Sequence, residues 1–579
     1  MLDAAEDREI DEAVVPQDRF ALYTVKWRGP DEANRNSRLS HSRTFPGGPM
    51  KRLAPAAAAS VAMVCCLACA GQTRDVGPSF AAHAEWARTG GHAWDSVAAV
   101  ALEGVMVEGA VPGRFRKIVD LRNGFSRTVQ ETGPMRTVTG YDGMAWVAGN
   151  GIINSIDLPS LVEDARTVAF VDRAGWRFEA GQIFGSPNGG DDAVVELCVP
   201  AGGSAVDVSF DPKTHLVTKV VVEADGGPLT TTYGDWRPVG NVKFAFRQVQ
   251  ESTTGEVTTL EVEQARLLQT IAADSLARPT KSSHGRLVSM EGAPVPFKYA
   301  GSHILVPVRV NDVDGSVIFD TGGANYFSPA SSRRFGLEVA GGLNLSGPGE
   351  SSMTGGFGRA SKISLGPAEL RDEVVIVAPT PWGGRSGRQE DLPDGSVGYE
   401  FLAEFRTTID YPAETISFSQ SEELPTSPGR RVTVPFYSDG HSIYVEAEVD
   451  SVRGLFRLDT GDGNTVTLFP NFAKLNKLGQ DAGESASSGG GVGGKVSSRP
   501  VTLSRFVLAG AEFRGVPARL SENKAGAFAS RSIAGNIGGG LLRCFRITID
   551  YAGRALTFDS EPEHLSDCVS EPQSKSKRQ

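Results

Sequence analysis

The feature that most narrows the fold of this 579-residue chain is a repeat carried inside it. Val317-Ile318-Phe319-Asp320-Thr321-Gly322 returns as Phe456-Arg457-Leu458-Asp459-Thr460-Gly461. Gly395-Ser396-Val397-Gly398, then Leu402, then Phe405 to Tyr411 (FRTTIDY), returns as Gly535-Asn536-Ile537-Gly538, then Leu542, then Phe545 to Tyr551 (FRITIDY). The first landmark repeats after 139 residues and the second after 140. Two landmarks sharing nearly one offset require two copies of one unit, here residues 291–425 and 426–567. Two copies are too few for a solenoid, so the units are expected to pair as lobes about a pseudo-twofold axis.

A single Asp-Thr-Gly carries little weight, since about 0.1 are expected by chance in a chain of this length. Two at equivalent places of a repeat are another matter. Each follows an apolar strand and precedes small or polar residues suited to a tight loop. A turn held by its own Asp side chain would account for one copy but not for both plus the second landmark. Two carboxyls brought together cannot both ionise, so they share a proton and can work as acid and base on one water. Asp320 and Asp459 are the candidate pair, expected on the order of 3 Å apart. Thr321 and Thr460 offer hydroxyls to brace the opposite loop, and Gly322 and Gly461 let the two backbones approach closely.

These motifs resemble the aspartic peptidases, and specifically the bacterial retropepsin-like group, over about the last half of the chain. The resemblance implies a mainly β, two-lobed barrel fold and an aspartic-type endopeptidase acting on peptide or protein. It implies no cofactor and no metal. Because both lobes lie in one chain, a monomer suffices. The resemblance also implies a buttress in each lobe, represented by Ser396-Val397-Gly398 and Asn536-Ile537-Gly538, each with one apolar residue before the Gly. It further implies a glycine-rich flap in each. The candidate flaps are 349–358, with Gly355, Gly356 and Phe357, and 485–494, with Gly490 and Gly491. Neither holds the Tyr of pepsin-like relatives. After Asp-Thr-Gly the family places Ala, Ser or Thr, whereas this chain has Gly323 and Asp462. Asp462 raises the dyad's proton affinity if it points inward, and is harmless if it bonds its own loop.

Residues 78–270 read as a separate β domain. Turn signals such as Asn123-Gly124, Asp142-Gly143 and Asn150-Gly151 alternate with short period-two runs, which predicts one large curved antiparallel sheet. Its order of elements resembles the LolA-like half-barrel of lipoprotein carriers. A structural accessory role is the first expectation, and lipid or lipoprotein contact the second. Residues 271–290 are polar and read as a linker. An alternative for the whole chain is a non-catalytic periplasmic module that binds peptide or lipoprotein.

Met50-Lys51-Arg52, the uncharged run Leu53 to Ala70 and the motif Ala68-Cys69-Ala70 read as a signal peptide over 50–70. Residues 1–49 then read as disordered or as a mis-assigned start. Export to the periplasm follows, with a lipid-anchored form through Cys69 as a variant. Six cysteines leave three in the mature part, where Cys544 and Cys568 form a disulfide that clamps the C-terminal tail 568–579 or all three stay free. His303 and His441 begin equivalent strands of the two copies and read as ordinary polar strand starts. Asp410 and Asp550 read as turn residues. A net charge of −11 excludes nucleic-acid binding through a basic surface. No G-x-S-x-G in a strand–turn–helix setting and no H-E-x-x-H occurs.

Overall fold

The computed structural model describes residues 80–569 apart from 109–110, 179–183, 186–193, 225–226, 253–254, 289–292, 346, 381–391, 422, 425, 428, 562–564 and 566–567. The expected signal peptide at 50–70 lies outside the described residues.

The first domain is the expected curved sheet, thirteen strands wide. Six strands from Ala99–Glu108 to Ile152–Ser155 run as a meander to one edge. Val257–Leu268 pairs with Ala99–Glu108 on the other side and continues the sheet back to Phe184–Gly185. The period-two pattern sets one face inward, so that Val100, Leu102, Met106, Phe115 and Val262 share one core. The Asn150-Gly151 turn takes positive φ at both residues (48° and 70°), the geometry that lets two strands join through two residues. Helices Phe80–Thr89 and Pro159–Asp172 complete the domain.

The second half folds as the repeat predicts. Each lobe has its own sheet, of nine and eight strands, and a six-stranded sheet is shared between them. At the middle of the shared sheet, Arg406–Asp410 pairs antiparallel with its own repeat, Arg546–Asp550. Thr408 opposes Thr548 there, hydroxyl to hydroxyl at 2.9 Å, which marks the pseudo-twofold axis. Asp410 and Asp550 do serve turns, accepting from Ala413 N and Gly553 N. Asp550 also accepts from Arg406, and Arg546 lies 4.0 Å from Asp410, so each lobe's arginine faces the other lobe's aspartate. One core runs through both lobes, from Val306 and Phe319 to Phe456 and Phe545. Cys544 and Cys568 are bonded, tying the C-terminal segment to the lobe-2 helix Gly539–Leu542. Cys198 is free and buried.

The linker is shorter than its composition implies. Gly285–Leu287 joins the edge of the lobe-1 sheet beside Ala368–Leu370, where Arg286 pairs with Glu369. The first domain also docks on both lobes. Asn154 donates to Gly440 O, and Asp157 accepts from Ser438 N. Leu158 and Leu161 pack with Tyr444, Phe469 and Phe528 of lobe 2. On lobe 1, Met135 at the tip of the hairpin 126–141 is buried among Ala324, Tyr326, Leu345 and Phe357.

Candidate active site

Strands Val313–Phe319 and Val452–Asp459 deliver the two Asp-Thr-Gly loops. Each is backed by a parallel neighbour from the second landmark. Gly395–Val397 runs beside Val317–Phe319, and Gly535–Gly538 beside Phe456–Asp459. The glycine that ends each buttress is required by space. A Cβ on Gly398 would sit 1.8 Å from Asp320 O, and one on Gly538 would sit 2.3 Å from Asn464 O.

The two loops clasp each other. Thr321 Oγ1 donates to Leu458 O (2.9 Å), and Thr460 Oγ1 donates to Phe319 O (2.6 Å). Each hydroxyl also accepts from the opposite threonine's N–H, at 2.9 and 3.0 Å. Both threonines are fully buried, so these four bonds are shielded from water. The clasp brings each carboxyl onto the other loop's glycine. A Cβ on Gly322 would lie 2.7 Å from Asp459 Cγ, and one on Gly461 would lie 2.5 Å from Asp320 Cγ. Residues 139 apart in sequence thus meet, and the Asp320 and Asp459 carboxyls stand close enough that each alters the other's proton affinity.

Burial raises the proton affinity of both. For Asp320 it outweighs the Gly322 N–H and the Arg457 charge. It raises that of Asp459 too, against the pull of Arg457 and with the added repulsion of Asp320 and Asp462. Groups this strongly coupled lose their protons as a pair. Asp462 takes the outward course. Its side chain accepts from Asn464 N (2.9 Å) in its own loop, from Thr467 Oγ1 (2.9 Å) in the strand that follows and, at 3.4 Å, from Asn536 Nδ2, and its charge still weighs on Asp459.

The contacts of three residues went unread in the sequence. Arg457 Nη2 lies 3.2 Å from Asp459 Oδ2. Asn536 Nδ2 donates to the same oxygen at 3.0 Å, and Asn536 Oδ1 accepts from Arg457 Nε. A charge inside an otherwise apolar strand, opposite Ile318 in the other copy, was the signal for Arg457. His303, read as a plain strand start, bonds through Nε2 to Gly461 O (3.1 Å) and so braces the second loop. His441 packs against Tyr399 instead.

The flaps need correction. The lobe-1 hairpin pairs Val339–Leu345 with Met353–Leu365, so its tip takes in 347–352. Gly355, Gly356 and Phe357 lie on its stem, and Phe357 is a core residue. The two glycines are there for close packing: a Cβ on Gly355 would sit 2.9 Å from Ala378 Cβ, and one on Gly356 would sit 2.8 Å from Val339 Cγ1. In lobe 2, Gly490 and Gly491 directly precede the tip Val492-Gly493. The two tips touch: Gly349 N donates to Val492 O (2.9 Å) and Ser351 N to Gly493 O (3.1 Å). Among the described residues, no cluster of three or more His, Cys, Asp or Glu is placed to hold a metal ion.

A family model described as aspartyl protease matches residues 306–401, the stretch holding the first loop and its buttress. An aspartic proteinase from Irpex lacteus is similar at 14% identity, with 48% of this chain and 99% of that chain covered and a TM-score of 0.34. A retropepsin-like aspartic protease from Rickettsia conorii is similar at 18% identity, over 24% of this chain and 97% of that one, with a TM-score of 0.18. A DUF1329 family protein from Desulfovibrio piger is similar at 12% identity, over 35% and 98%, with a TM-score of 0.26. No curated protein matches. The second half of the chain has an aspartic-peptidase-like fold.

Proposed function

We propose that this chain is an aspartic-type endopeptidase with Asp320 and Asp459 as its catalytic pair. The observation that carries the reading is the convergence of these two carboxyls, one from each lobe, each set against the other loop's glycine. With one proton between them, the ionised member takes a proton from water as its oxygen attacks the peptide carbonyl carbon. The protonated member gives its proton to the carbonyl oxygen. The tetrahedral intermediate then breaks its C–N bond, and a proton passes to the leaving amine. The substrate is an extended peptide, bound by main-chain hydrogen bonds beneath the flap tips. Export to the periplasm belongs to the same proposal.

The test uses the mature chain and a peptide library. Asp320→Asn and Asp459→Asn should each lower cleavage by about 10³-fold or more, since general acid–base help is worth about 10²–10⁴ per group. Full cleavage by either variant would sink the proposal.

One observation favours a second activity for the first domain. Its sheet forms a mostly apolar pocket lined by Trp94, Phe115, Trp176, Trp236, Leu260 and Val262, with Lys117, Asp172 and Arg177 also in its wall. Such an apolar pocket suits an acyl chain or an apolar peptide side chain. Quenching of its tryptophans by an added fatty acid would support that role, and unchanged fluorescence at saturating ligand would remove it.

A further inference from the structure

The two carboxyls of the pair are not equivalent. Asp459 Oδ1 accepts from Gly461 N (3.0 Å) and Asp462 N (3.1 Å), while Oδ2 receives Asn536 Nδ2 (3.0 Å) and faces Arg457 Nη2 (3.2 Å). A carboxylate has about four acceptor sites; three are met here by N–H donors, the Arg457 cation stands beside them, and one is left for a proton. Asp320 accepts from Gly322 N (2.9 Å) and, among the described residues, from no side-chain N–H. The equivalents of Arg457 and Asn536 in lobe 1 are Ile318 and Ser396, and Ser396 turns its hydroxyl to Ala324 O.

We propose that Arg457 is a positioning residue that fixes the ionised carboxylate on Asp459 and the shared proton on Asp320. This rests on the peptidase reading above and deepens it: Asp459 becomes the base that takes the proton of water, and Asp320 the acid that meets the carbonyl oxygen. Arg457 is itself held in place. Its Nε donates to Asn536 Oδ1, and its strand neighbour is Tyr444, whose hydroxyl donates to Asp439. The charges facing the pair are then Arg457 on its own strand, Asp462 on the following loop and Asp439 behind Tyr444. Arg457 is the one cation among them. It holds its guanidinium charge because the surrounding aspartates and Tyr444 outweigh the cost of its burial.

Arg457→Ile copies the residue that lobe 1 carries at this place, so the strand should tolerate it. The acid limb of the pH–rate profile marks formation of the singly ionised pair. Removing a cation at this distance should move that limb upward by about one to two pH units. Arg457→Lys should restore most of the shift, which a purely structural role would not require. A direct reading is the carboxyl ¹³C titration of the full chain labelled at aspartate, with signals assigned from Asp320→Asn and Asp459→Asn. In the native protein Asp459 should ionise first, and in Arg457→Ile that order should collapse. Asp320 ionising first in the native protein, or an unchanged order in Arg457→Ile, would overturn the proposal. If the native chain cleaves no peptide, the peptidase reading fails, while the titration still decides where the proton rests.

Discussion

In lobe 1 the strand that delivers the aspartate ends Val317-Ile318-Phe319, all buried and apolar. In lobe 2, Phe456 and Leu458 are buried in the same way, but Arg457 stands between them and turns to the carboxyl. Gly323 and Ser396 in the first lobe are replaced at the equivalent places of the second by Asp462 and Asn536. The backbones, by contrast, are near copies: the same parallel buttress, the same clasp and the same close glycine. Symmetry of the main chain therefore brings two like groups together, and asymmetry of a few side chains gives them different work. The lobes also differ on their outer sides. Lobe 1 has Met135 of the first domain pressed beside Ala324 and Tyr326, four and six residues after Asp320, whereas lobe 2 meets that domain through Tyr444, Phe469 and Phe528.

The symmetric part predicts the largest effects. Gly322→Ala and Gly461→Ala each thrust a methyl to within 3 Å of the opposite carboxyl, so each should abolish cleavage while leaving the lobes folded. Activity in one variant and not in the other would show that the loops are less alike than their geometry. Next come the threonines. Thr321→Val and Thr460→Val each remove a donor and an acceptor from a buried cross-lobe bond. Each should cost about 2–4 kcal/mol in denaturant unfolding, by equal amounts within error. A loss confined to one of them would break the symmetry. The smallest effect belongs to the outer contact. Met135→Ala opens a cavity on lobe 1 alone and should cost about 2 kcal/mol, at the low end for a buried methionine because this site lies between domains. It should raise KM for apolar peptides with little change in kcat, and equal kinetics to the native chain would exclude Met135 from shaping the cleft.

How far the sequence alone reached depended on whether a feature used consecutive residues. The Asp-Thr-Gly loops and the Gly-ending buttresses are contiguous, so the repeat displayed them and the fold followed. The flap tips did not stand out, because Gly355 and Gly356 look like a turn but are glycines for packing against Ala378 and Val339. Gly285–Leu287 looked like linker because its strand partners, Ala368–Leu370, lie about eighty residues onward. Met135 could not be found at all, since its neighbours are in another domain. Arg457 was visible as a misfit among apolar residues, but only the fold shows that it reaches Asp459. The cysteine pairing was open in the sequence and is Cys544–Cys568 in the fold.

At the centre of this account is a proton held between two carboxyls that come from different lobes. Its loss must remove the acid and stop the reaction. The cleavage rate of the native chain against pH measures this directly. The account predicts a bell-shaped profile whose alkaline limb marks loss of the one proton that burial holds on the pair. Undiminished cleavage at pH 9 would contradict it.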